Sequence, residues 1–139
     1  MATQLTAPDS SVLIAGFAPE HPFHEAAAPT LRTVRKSGVL IAHTLAETYS
    51  VLTGQAYAHP AANVLRYLDQ FLERPAAGLS ATSYLKVLNK LAKGAILGGA
   101  IYDGLIAAAA AQAGLRLCSL DRRAVRTYAR LDVDYEILI

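Results

Sequence analysis

The chain has 139 residues, a length suited to one domain with a single core. Apolar residues make up 53% and charged residues 17%, which excludes intrinsic disorder, and a formal charge of +2 tolerates a polyanionic partner without demanding one. The lone Cys118 excludes an internal disulfide, and the longest apolar stretch falls far short of the ~20 residues that cross a bilayer.

In chain order, the segment MATQLTAPDSS has neither the basic nor the apolar run of a signal peptide, so a soluble cytoplasmic protein is the expectation. Gln4 to Ala7 reads as a weak first strand, cut short by Pro8, which has no N–H to give a ladder. Asp9 or Ser10 then caps a helix to about Phe17. His21 to Lys36 reads as a helix stopped at Ser37-Gly38, and Val39 to Ala42 as a short buried parallel strand.

A helix from Thr44 to about Thr53 ends at Gly54, and Pro60 opens another with Val64, Leu65, Leu68, Phe71 and Leu72 as its apolar stripe. Gly78 to Ala81 is a candidate third strand. Thr82 caps a helix that turns Leu85, Leu88 and Leu91 inward and Lys86, Lys90 and Lys93 outward. A glycine-containing loop, Gly94 to Gly99, leads to a helix from Ile101 to Ala113 that stops at Gly114. Leu115 to Ser119 is the clearest strand, with Cys118 buried and reduced in it. A helix near Arg122 to Arg130 and a strand Tyr135 to Leu138 complete the chain. This alternation predicts a three-layer α/β/α sandwich with a mainly parallel sheet, one domain over 1–139.

Four carboxylates, Asp9, Glu47, Asp103 and Asp121, each fall near a predicted helix start. In a parallel α/β domain such junctions gather on one edge of the sheet, where ligands bind. Each acid also has a plain structural use. Asp9 and Asp121 can cap helices, Asp103 suits a first turn, and Thr44-Leu-Ala-Glu47 matches a capping box. Taken together, four acids on one rim make an oxygen-rich pocket for a hard cation such as Mg²⁺ or Mn²⁺, with Ser10, Ser11 and Ser119 placed to hold the carboxylates.

Four short strings carry a family resemblance across nearly the whole chain. Asp9-Ser-Ser-Val-Leu-Ile-Ala15 is similar to an opening D-[ST]-[SN] before an apolar helix, and Ala46-Glu47 to a second-acid motif. Ile101-Tyr-Asp-Gly-Leu-Ile-Ala-Ala108 and Ser119-Leu-Asp-Arg-Arg123 resemble the third- and fourth-acid motifs. In this order and at these separations they resemble the PIN-domain ribonucleases, specifically the VapC-like toxins of type II toxin–antitoxin pairs. The resemblance implies that Asp9, Glu47, Asp103 and Asp121 bind Mg²⁺ or Mn²⁺ or hold the attacking water, with Ser11 and Ser119 in support. It further implies cleavage of cellular RNA such as tRNA or rRNA, a homodimer, and inhibition by a cognate antitoxin protein. Pro8 departs from the family's apolar first strand.

Arg122 and Arg123, next to Asp121, are candidate phosphate contacts, as are Lys86 and Lys90 on the lysine stripe. Tyr102 could stack on a base. His21 and His24 have an H-x-x-H spacing but no third ligand, so surface histidines are the better reading. His43 is expected to be an incidental polar neighbour of the pocket. A receiver-like phosphoacceptor lacks its second acid at the first strand and its lysine after the last. The remaining alternative is a PIN-like module that binds RNA or protein without cutting.

Overall fold

The computed structural model, described for residues 4–139, gathers three short strands into one parallel sheet in the order β1 (Thr6–Pro8), β2 (Arg116–Ser119), β3 (Tyr135–Ile137). Part of the N-terminal segment read above for a signal peptide lies outside these residues. Seven helices cover the sheet among the described residues: α1 (Ser10–Phe17), α2 (His24–Ser37), α3 (Ala42–Thr53), α4 (Ala61–Asp69), α5 (Ala81–Lys93), α6 (Ala100–Gln112) and α7 (Val125–Arg130). One apolar cluster joins α1 to α4 through Val12, Leu13, Leu31, Leu52 and Val64. A second joins α5, α6 and α7 to the sheet through Leu91, Ile106, Tyr128, Ala7 and Leu117. The architecture is the expected α/β sandwich on a parallel sheet.

The strands are fewer than the sequence suggests. Strand β1 runs through Pro8, in register with Cys118, rather than stopping before it. Its cost is paid on the other edge. Val39 donates its N–H to the Thr6 carbonyl at 3.0 Å. In a parallel ladder the return bond to Val39 would come from the N–H of residue 8, and Pro8 has none. The segment 39–41 therefore stays extended but unladdered, joined to Ala77 by one isolated bridge at Ile41. The expected strand Val39–Ala42 is not formed, and Gly78–Ala81 contributes none either: Ala81 already begins α5.

Helix ends follow local chemistry with a few shifts. Gly114, at φ 67°, ends α6 while Leu115 and Gly114 donate to the carbonyls of Ala110 and Ala111, the paired bonds of a left-handed C-terminal cap. Helix α3 starts at Ala42, so Thr44 lies inside it, buried, and the expected capping box with Glu47 does not exist. Helix α5 is preceded by Ser80, not capped by Thr82, and its buried residues are Val87 and Leu91. Leu85 turns outward, 70% exposed, and Leu65 on α4 is also exposed. The His21–Lys36 reading overshoots at its start, since α2 begins at His24. Cys118 is buried, and burial pushes its thiol up to about 11, as a structural cysteine requires. No helix among the described residues is long and apolar enough to cross a membrane.

Candidate functional site

Asp9 sits where β1 ends and α1 begins. It is 3% exposed and caps α1 by accepting from the Val12 N–H. The same Oδ1 accepts from the Ser11 hydroxyl, and Oδ2 accepts from the Tyr128 hydroxyl on α7 at 2.5 Å. Burial raises the pKa of this carboxyl, with the hydrogen bonds from Ser11, Ser119 and Tyr128 working against that rise. Capping and pocket placement coincide here: the helix end that needs an acceptor is also the rim.

Ser11 and Ser119 stitch the β1 and β2 ends together. The Ser11 hydroxyl accepts from the Leu120 N–H at 2.9 Å and lies 3.4 Å from the Ser119 hydroxyl. Ser119 in turn accepts from the Asp121 N–H at 2.9 Å. Asp121 then caps the 3-10 turn Arg122–Ala124, accepting from the Arg123 N–H at 2.9 Å and its Nε at 3.1 Å. Ser10, one residue before Ser11, donates instead to Glu47 on α3. Each serine named in the sequence has a polar partner in the site.

Asp103 occupies the first turn of α6, half-buried. Its pKa is pushed up to about 6, first by burial and then by the charges of Glu47, Asp9 and Asp121, with Arg123 opposing. Glu47, Asp9 and Asp121 are thus all within electrostatic reach of Asp103, and carboxylates so placed repel. Yet among the described residues no three His, Cys, Asp or Glu side chains are drawn close enough to form a finished cage. The hard oxygen donors suit Mg²⁺ or Mn²⁺ in kind, and their mutual repulsion is what a divalent cation relieves. Asp9 and Asp121 are also committed to hydrogen bonds with the protein itself.

The basic residues divide. Arg123 reaches Asp121 with a side chain that is 93% exposed, while Arg122 donates to the Ile139 carbonyl. Lys90 pairs with Asp132 at 3.4 Å, and Lys86 lies exposed on the middle of α5. Arg126 donates to the Gly94 carbonyl at 2.8 Å and Arg130 to the Lys90 carbonyl at 3.2 Å, so these two cap the C-terminal end of α5. His24 bonds the Ala15 carbonyl at 2.8 Å and His21 accepts from the Phe23 N–H, so the H-x-x-H spacing serves backbone turns.

Two residues matter more than the sequence suggests. Tyr128, fully buried on a short helix with no motif around it, holds Asp9. His43 on α3 stacks on Tyr102 of α6, with ring centroids 5.3 Å apart and planes within 9°. The His43–Glu47 spacing of one helical turn was the available signal for the second.

A family model described as the PIN domain matches residues 7–130. Ribonuclease VapC40 of Mycobacterium tuberculosis, from strain H37Rv and likewise from strain CDC 1551 / Oshkosh, is 43% identical over 136 residues, covering 96% of this chain and 99% of the relative. Ribonuclease VapC27 of M. tuberculosis H37Rv is 36% identical over 127 residues, 90% of each chain.

Proposed function

We propose, for a chain that belongs to the PIN-domain family and to its VapC-like ribonuclease branch, a Mg²⁺- or Mn²⁺-dependent endoribonuclease toxin acting on cellular RNA, tRNA or rRNA. The observation that carries this reading is geometric: Asp9 at the end of β1 and Asp121 just after β2 lie on one edge of a parallel sheet, linked through Ser11 and Ser119, and Ser10 joins Glu47 to the same edge. Such an edge is where ligands of α/β sheets bind. Asp9, Glu47, Asp103 and Asp121 are the residues that would hold the cation.

When bound, the ion supplies the Lewis acidity that activates water and stabilises the leaving oxygen of a phosphodiester. The protein's own contribution is orientation. Ser11 and Tyr128 fix the two oxygens of Asp9, Ser10 steadies Glu47, and Ser119 holds the turn that carries Asp121. Arg123, exposed at the rim, is placed to meet a phosphate, with Arg122, Lys86 and Lys90 as weaker contacts.

The same reading includes a cytoplasmic homodimer held in check by an antitoxin protein. An apolar groove of about 660 Å³ between α3 and α4, lined by Leu45, Tyr49, Leu65, Leu68 and Leu72, supports a protein partner. The second reading is a module that binds without cutting, for which the exposed Arg123 and the apolar groove would suffice. Incubation of the purified protein with total cellular RNA and Mn²⁺ separates them. Discrete cuts that disappear with EDTA, with Asp9→Asn and with Asp103→Asn are the expected result. Intact RNA, with no Mn²⁺ binding by calorimetry, would hand the case to the module.

A further inference from the structure

We propose that the His43–Tyr102 stack is a nucleobase subsite, in which one unpaired base of the RNA stacks on the open face of Tyr102 beside the acidic pocket. The proposal deepens the ribonuclease reading and rests on it. His43 and Tyr102 line a shallow cleft of about 250 Å³ together with Ala46, Glu47, Ser50 and Val51. The rings come from two different helices, α3 and α6, and lie parallel at 5.3 Å. Each is tied to an acid of the site: His43 precedes Glu47 by one helical turn and Tyr102 directly precedes Asp103.

Position decides between packing and recognition. Tyr128, a core tyrosine of the same domain, is fully buried, whereas Tyr102 keeps 47% of its surface in solvent. Single exposed rings are ordinary on a protein surface, and what sets Tyr102 apart is its stack on His43 in a cleft shared with Glu47 and its place directly before Asp103. The His43 ring covers one side and fixes the orientation of Tyr102, so a base arriving on the other side finds a platform already ordered. Stacking of this kind tolerates any base, because every base presents a π-face, and it selects unpaired over paired strands. The rest of the cleft is lined largely by small and apolar side chains, Ala46 and Val51 among them. A neutral, flat base is therefore the part of the strand that fits there, and the exposed Arg123 at the rim is left to meet the phosphate.

The test uses a short unstructured RNA oligonucleotide carrying the fluorescent base 2-aminopurine, mixed with the full-length protein and Mn²⁺ in a stopped-flow instrument. Wild type is expected to quench the fluorophore in the binding phase, before cleavage. Tyr102→Ala and Tyr102→Leu are expected to lose that quench and to raise KM about tenfold, with a smaller effect on kcat. Tyr102→Phe, which keeps the ring, is expected to restore both. Thermal melts of all three variants establish that the fold is retained, and Tyr102→Leu keeps the apolar volume should Tyr102→Ala unfold. A quench and KM in Tyr102→Leu equal to wild type would overturn the subsite and leave the ribonuclease reading standing. An oligonucleotide that wild type does not bind overturns the subsite, and total cellular RNA left uncut by wild type with Mn²⁺ overturns the ribonuclease reading, and the subsite with it.

Discussion

The hydroxyl of Tyr128 donates to Oδ2 of Asp9 at 2.5 Å, joining the last helix to the end of the first strand across a fully buried contact. Asp9 cannot rotate without breaking this bond or its Oδ1 bonds to Ser11 and Val12. The carboxylate is thereby pre-set in one orientation at the end of β1. Tyr128→Phe keeps the ring and removes only the donor. It is expected to destabilise the fold by about 1–2 kcal/mol and to weaken Mn²⁺ binding by roughly tenfold or more. Urea melts and calorimetry read the two effects separately. An unchanged Mn²⁺ affinity would show that Asp9 is oriented by Ser11 and the α1 cap alone.

Asp9, Asp103 and Asp121 were legible because each lies near a helix start, and local sequence patterns report helix starts well, whereas Glu47 lies in the second turn of α3. Their convergence follows from the parallel sheet, which the strand–helix alternation also revealed. What escaped was tertiary. Tyr128 sits on a six-residue helix with no motif, and its role depends on a residue 119 positions away. The apolar run Val39–Ala42 has the composition of a buried strand, but whether it ladders depends on the neighbour it meets, and that neighbour offers Pro8. The capping-box pattern at Thr44 failed because α3 begins two residues earlier, at Ala42. Likewise Arg126 and Arg130 look like a basic cluster in the sequence, and in the fold they spend their donors on α5 carbonyls.

Glu47 and Asp121 both have structural alternatives in the sequence; Asp121 does cap its turn, while the loss of the capping box removes the one offered to Glu47. The side chain accepts from Ser10 and leaves the start of α3 uncapped. Glu47→Gln should therefore leave helical content and melting temperature nearly unchanged while lowering Mn²⁺ affinity by about tenfold or more. Circular dichroism and calorimetry on the same sample decide the matter. A marked loss of helix with intact metal binding would return Glu47 to a structural role.

Gly104 follows Asp103 and lets α6 approach α5. A Cβ built at Gly104 would meet Leu91 Cδ1 at 2.5 Å, Cδ2 at 2.7 Å and Cγ at 3.2 Å, so the whole end of the fully buried Leu91 side chain would have to shift. In an exposed helix, glycine to alanine stabilises by up to about 1 kcal/mol. Here overpacking dominates, and Gly104→Ala is expected to destabilise by roughly 1–2 kcal/mol. Because the strain falls beside Asp103, cleavage should drop as well. A urea midpoint at or above that of wild type would mean that Leu91 repacks freely.

Asp103 gives the protein a pH signature in the absence of metal. Its carboxyl is pushed up to about 6 by burial and by Glu47, Asp9 and Asp121, against about 4 in an unfolded chain. Between those values the folded state holds the proton more tightly than the unfolded state does. The contribution of this group to stability is therefore present below about pH 4 and is lost as pH rises through about 6. Asp103→Asn removes the ionisation and with it the loss. In EDTA the variant should melt close to wild type at about pH 4 and roughly 2–4 °C above it at about pH 7. Saturating Mn²⁺ at neutral pH should reverse the order, since wild type alone then has all four acids to offer the ion. Melting curves that stay parallel from about pH 4 to about pH 7 in EDTA would mean that Asp103 ionises at its ordinary value and that the neighbouring acids do not press on it.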